Sequence, residues 1–195
     1  MSASRNPLPP RAMTVQEFLA WDAPGPQPCQ LVEGEPRAMA PASATHGAIQ
    51  SELARVLGNH LLAHSSPCRV VTAPGIVPRV QARTNFRIPD LGVTCASYAA
   101  EDEVLSEPVL LIEILSPSNW TETWSNVWTY TSIPSVQEIL VLRSDAVAAD
   151  LIRRNADGTW PERPRTIEGD GELDLESIGF RMPLLGIYRT TRLHS

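Results

Sequence analysis

The stretch EPVLLIEILSPSNWTETWSNVWTY, residues 107–130, decides the fold. Val109 to Leu115 is apolar at every position except Glu113. A short continuous run of Val, Leu and Ile bounded by turn residues predicts a strand buried on both faces. Ser116-Pro117-Ser118 ends the run, and TETWSNVWTYTS then predicts a helix with Thr121 as its cap. A second buried strand is predicted at VQEILVL. A carboxylate inside such a strand is costly unless it is paired or bound to a metal. The question is sharpened by the composition: all 16 basic residues are arginine.

Outward from this stretch, FRIPDLGVTCA predicts a strand beginning near Pro89, with Asp90 at its edge. CRVVTA and GIVPRVQ are short strand candidates. SATHGAIQSELARVLGNHLLAH predicts the longest helix, with Ile49, Leu53, Val56, Leu57 and Leu61 in one apolar stripe. CQLVEGEPRAMA reads as two strands turning at Glu33-Gly34. MTVQEFLAWD reads as a short helix capped by Thr14, with Glu17 three residues on. AADLIRR and TWPERPRTI form an expected edge hairpin joined at NADG. LDLESIGFRMPLLGIY closes the chain with a short strand and a helical turn. Residues 1–12 are expected to be a disordered tail, and 13–195 a single domain. The fold class is α/β, with an α+β mixed sheet flanked by helices.

The chain has 195 residues, which suits one domain with a real core. No apolar stretch approaches the roughly 20 residues that cross a bilayer, and no secretory signal is visible, so the expected location is cytoplasmic. Cys29, Cys68 and Cys95 are odd in number and lack CxxC spacing, so they read as reduced thiols. The net charge of −6 argues against a broad electrostatic grip on DNA or on an anionic membrane. A local basic rim stays open: RVQARTNFR brings Arg79, Arg83 and Arg87 close together.

Asp90 and Glu113 each occupy a strand-like run. Two acids on neighbouring strands repel, and a hard divalent cation relieves the repulsion. Mg²⁺ commonly takes one or two carboxylates, waters and substrate phosphate, the layout for metal-assisted phosphodiester hydrolysis. The alternative is that each acid is a solitary edge residue or an ion-pair partner.

LVEGE, ATHGAIQSELARVLGNHL, RIPDLGV, LLIEILSPSN and YTSIPSVQEILVL occur in that order. Together they resemble the Uma2 family, also known as DUF820, from about Met13 to Tyr188. That family is placed in the PD-(D/E)XK nuclease superfamily. The resemblance implies a restriction-endonuclease-like fold and a DNA endonuclease dependent on Mg²⁺ or Mn²⁺. By it, Asp90 and Glu113 are the two motif acids, and Glu35 and His46 match recurrent residues. The implied metal ligands are Asp90, Glu113 and Glu35. Glu33 is a weaker candidate than Glu35, and Glu52 lies on the long helix.

The superfamily lysine expected two residues after the acid is Leu115 here. Members of the family often carry that lysine on the next helix, as D-x-x-x-K-x-x-x-Y. The matching positions are Glu122, Asn126 and Tyr130, so Asn126 takes the lysine's place. Asparagine orients a water but supplies no charge, which leaves a second reading: a degenerate nuclease fold acting as a binding or interaction module. Trp124 and Trp128 share a helix face and either pack on the sheet or a subunit, or stack on bases. Nucleases of this superfamily commonly act as dimers, so the resemblance also implies a homodimer.

Overall fold

A computed structural model describes residues 12–194. The expected tail therefore lies, apart from Ala12, outside the described residues.

The chain begins with α1 (Val15–Leu19), β1 (Cys29–Val32), β2 (Glu35–Ala38), α2 (Ala44–Ala63), β3 (Arg69–Thr72) and β4 (Leu91–Thr94). It continues through β5 (Pro108–Leu115), α3 (Trp120–Tyr130), β6 (Glu138–Arg143), β7 (Ala148–Arg153) and β8 (Arg165–Glu168). It closes with β9 (Glu172–Leu175), β10 (Phe180–Pro183) and a 3₁₀ turn over Leu184–Tyr188. Six strands form one mixed sheet in the order β3-β4-β5-β6-β7-β8. Only β5 and β6 run parallel, and α3 supplies the crossover that a parallel pair requires.

β5 explains why the sheet needs two covers. Leu110, Ile112 and Ile114 point into a core shared with Ile49, Leu53 and Leu57 of α2 and closed by Leu173, Phe180 and Tyr188. Leu111 and Leu115 point into a second core with Val127 and Tyr130 of α3. Glu113 shares the parity of Leu111 and Leu115, so it faces α3.

Local chemistry sets the ends of the elements. Thr14 and Glu17 form a reciprocal capping box on α1. The β1–β2 turn places Glu33 at φ 53° and Gly34 at φ 84°, the paired positive angles of a tight hairpin. A side chain at Gly34 would also run into Ala12, 2.6 Å from an ideal Cβ.

Four expectations change. GIVPRVQ is not a strand: it contributes only the bridge Ile76↔Arg87, because Pro78 has no N–H to extend a ladder. Thr121 does not cap α3; the helix starts earlier, from Asn119. The Asn119 Oδ1 is already occupied, accepting from Ser116 N and Ser116 Oγ. The closing segment holds a second strand, β9 pairing with β10 in its own antiparallel hairpin. Finally, Cys68 and Cys95 are not reduced thiols: they form a disulfide, and Cys29 is free. The pairing Arg69↔Thr94 sets the two flanking cysteines opposite each other, a proximity that their separation of 27 residues conceals in the sequence.

Candidate active site

Asp90 is the last residue before β4. Leu91 pairs with Ile112, so one further step of the same register sets Asp90 opposite Glu113. Its backbone is fixed twice: the Asp90 carbonyl accepts from Gln50 Nε2 at 2.8 Å and from Ala73 N at 3.0 Å. Its carboxylate is fixed as well. Oδ2 accepts from the backbone N–H of Ile114 at 2.6 Å, and Oδ1 lies 2.7 Å from His46 Nε2. His46 and Gln50 are four apart on α2 and so reach Asp90 from one face.

Glu113 is buried, and the Tyr130 hydroxyl donates to its Oε1 at 2.7 Å. Burial, and then the charge of Asp90, push the Glu113 carboxyl well above the usual carboxylate range. The hydrogen bonds from Tyr130 and Asn126 oppose that shift without cancelling it. Burial and the neighbouring Glu113 likewise raise the Tyr130 phenol. Glu122, Asn126 and Tyr130 recur every four residues, so one stripe of α3 faces the acids. Asn126 and Tyr130 are buried, whereas Glu122 is exposed.

Arg87, three residues before Asp90, is 2% exposed. One guanidinium nitrogen donates to the Leu31 carbonyl, and Nε is buried without a partner. Burial lowers its pKa, while the charges of Glu33 and Glu122 and the Tyr130 phenol act in the opposite direction. Arg87 is therefore a desolvated cation beside the Glu113–Tyr130 pair. It does not belong to the exposed rim expected with Arg79 and Arg83, because Phe86 and Ile88 carry it into the interior.

Residues 15–184 match the family model of Uma2, described as "putative restriction endonuclease". The chain belongs to the Uma2 family. It is 28% identical over 181 residues to "Uncharacterized protein slr1290" of Synechocystis, covering 91% of this chain and 92% of the relative. A crystal structure described as "a putative nuclease belonging to DUF820", from Anabaena variabilis, superposes with a TM-score of 0.73. That match is 18% identical and covers 91% of this chain and 98% of the other. The fold is accordingly restriction-endonuclease-like.

Within this Uma2 chain the remaining candidates are dispersed. Leu115, at the superfamily's lysine position, is buried in the apolar cluster of Val127 and Trp124. Glu35 is exposed on β2 and paired with Arg37 at 3.2 Å. No hydrogen bond or ion pair joins it to Asp90, Glu113 or His46 among the described residues. Glu52 is buried and held at 2.6 Å by both Arg55 and Arg189, which ties α2 to the C-terminal turn. No three His, Cys, Asp or Glu side chains gather as a metal cage among the described residues. The donor set near the motif is thus two carboxylates, which suits a hard cation that keeps waters and substrate oxygens as its other ligands.

Sequence reasoning passed over Gln50, placed Arg87 in an exposed rim rather than beside the acids, and treated Tyr130 only as a helix match. Gln50 was signalled by its place four residues after His46. Arg87 was signalled by a charge between Phe86 and Ile88.

Proposed function

We propose that this Uma2 chain is a DNA endonuclease that uses Mg²⁺ or Mn²⁺ held by Asp90 and Glu113. The observation that carries the reading is the opposition of these acids: one is pinned by a backbone N–H, and the other is buried and driven to keep its proton. A cation held by Asp90 and Glu113 would offset both the repulsion and the desolvation. When bound, it polarises the phosphodiester and makes water a better nucleophile at neutral pH. The protein's own part is positioning. Ile114 N and His46 Nε2 hold the two oxygens of Asp90, and Tyr130 holds Glu113. His46 assists by orienting Asp90 through Nε2. Asn126 orients the attacking water through its amide. Glu35, paired with Arg37, stands outside this set.

The burial of Leu115 where a lysine is expected favours a second reading, a nucleic-acid-binding relative without catalysis. Supercoiled plasmid incubated with Mg²⁺, Mn²⁺ or EDTA separates the two. The nuclease reading expects metal-dependent nicking that falls at least ~100-fold in Asp90→Ala and Glu113→Gln. DNA retention by the parent with no nicking in either metal would establish the binding reading instead.

A further inference from the structure

The sheet continues past the acids into a second feature. At the end of β5 the chain forms a cleft of about 270 Å³ lined by Leu115, Ser116, Pro117, Trp120, Arg143 and Asp145. Leu115 is two residues from Glu113, or about 7 Å along the strand. Arg143 is its partner on β6. The cleft therefore lies on the two central strands β5 and β6 and adjoins Glu113 along β5. Its volume is close to the lower end of ordinary small-ligand pockets, about 300 Å³.

The walls carry one indole, Trp120, one guanidinium, Arg143, and one carboxylate, Asp145. The Arg143 guanidinium lies 5.7 Å from the centre of the Trp120 ring. Its Nε is buried without a partner, and its NH2 reaches Asp150 only at 3.5 Å. Trp120, Trp124 and Trp128 recur every four residues on α3, with ring centres 5.9 Å and 6.2 Å apart. Trp120 and Trp128 remain 47% and 46% exposed, although indoles are usually well buried. Trp124 Nε1 is buried without an acceptor.

Resting on the nuclease reading above, the geometry points to an unpaired nucleotide as the occupant of this cleft, its base against Trp120 and its phosphate on Arg143. Two physical arguments select that occupant. A base presents a π-face to an indole irrespective of sequence, and the phosphate attached to it meets the under-used guanidinium. In an intact duplex the bases are stacked on one another, so a base reaches Trp120 only from a single strand or after being turned out. The cleft thereby makes single-stranded or locally opened DNA the preferred substrate. Its position beside Leu115 puts the neighbouring phosphodiester within reach of Asp90 and Glu113.

The test is binding without cleavage. In EDTA, quenching of tryptophan fluorescence and anisotropy are followed with labelled oligo-dT of about ten nucleotides and with a blunt duplex of equal length. The single strand should bind more tightly and quench the indoles. Trp120→Ala should weaken it about ten-fold or more, while Trp120→Phe retains most of the affinity. Arg143→Gln should flatten the dependence of log K on log salt by about 0.7. Equal binding of both oligonucleotides, or affinity indifferent to Trp120→Ala in a variant with the parent's melting temperature, overturns the proposal. So does a dimer by light scattering that Trp120→Ala dissociates without changing DNA affinity, which would make this face a subunit interface. The two readings fail separately: plasmid nicking without oligo-dT binding removes the cleft alone, and oligo-dT binding without nicking removes the catalysis alone.

Discussion

Glu113 and Arg87 are buried titratable groups on either side of Tyr130. The Glu113 carboxyl is raised in the folded state above its ordinary value of 4.5. A group raised on folding stabilises the fold below its unfolded pKa, and that contribution is lost as pH rises toward the folded pKa. In EDTA, Glu113→Gln should therefore gain stability over the parent as pH climbs from about 4.5 to 8, with the two converging in acid. Urea midpoints across that range check the sign. Mg²⁺ should then raise the melting temperature of the parent and leave Glu113→Gln unmoved, since only a ligand of the folded state stabilises it. Arg87 makes the complementary prediction. No carboxylate lies within salt-bridge distance of it among the described residues, so Arg87→Met strands no partner charge and removes an unsatisfied buried nitrogen. Its stability should stay within about 1 kcal/mol of the parent or exceed it. Metal-dependent nicking should fall at least ~10-fold, because the positive field next to Tyr130 and Glu113 is gone. Nicking that tracks stability alone would reduce Arg87 to a packing residue.

At the scale of elements, α3 carries the departure from the lysine pattern that the resemblance implies. Its face of Glu122, Asn126 and Tyr130 is fixed by the Tyr130–Glu113 bond, so position 126 points at the acids. Asn126→Lys should raise the nicking rate by about ten-fold or more by restoring a charge where the phosphodiester becomes more negative. A folded Asn126→Lys with unchanged kcat would mean that Arg87 already fills the electrostatic role. The same helix shows what the sequence makes legible. The apolar run around Glu113 and the four-residue rhythm of α2 and α3 are local signals, and they mark β5, both helices and Glu113, whereas Asp90 is read from the separate run FRIPDLGVTCA. The resemblance singled out Asp90 and His46 separately; their contact across 44 residues comes from the structure. The Cys68–Cys95 bond and the interior course of Arg87 were hidden, because both depend on strand register, which no local periodicity records. Glu35 illustrates the converse: its motif is recognisable, yet the β1–β2 hairpin turns it outward to Arg37.

For the whole molecule, the difficulty is electrostatic. On the endonuclease reading, a chain of net charge −6 would have to approach a polyanion, and non-specific attraction to DNA needs several cationic contacts. Among the described residues no helix is long and apolar enough to cross a membrane. With Arg87 in the interior, the basic rim is reduced to the exposed Arg79 and Arg83. The Arg79 and Val80 backbone N–H groups both donate to Ser132 Oγ, which fastens this loop to the turn after α3. A rim of two arginines is weak alone. Duplicated about a twofold axis it would double the phosphate contacts, and twofold dimers are the commonest soluble assemblies. We therefore expect a homodimer at micromolar concentration, checked by light scattering as a particle of twice the mass of one chain. Arg83→Glu should weaken DNA binding and lower the salt slope by about one for each rim engaged, with the oligo-dT quench at Trp120 largely retained because that cleft is lined by other residues. A monomer whose DNA affinity is unchanged in Arg83→Glu would remove the rim and leave the Arg143 cleft as the remaining proposed contact.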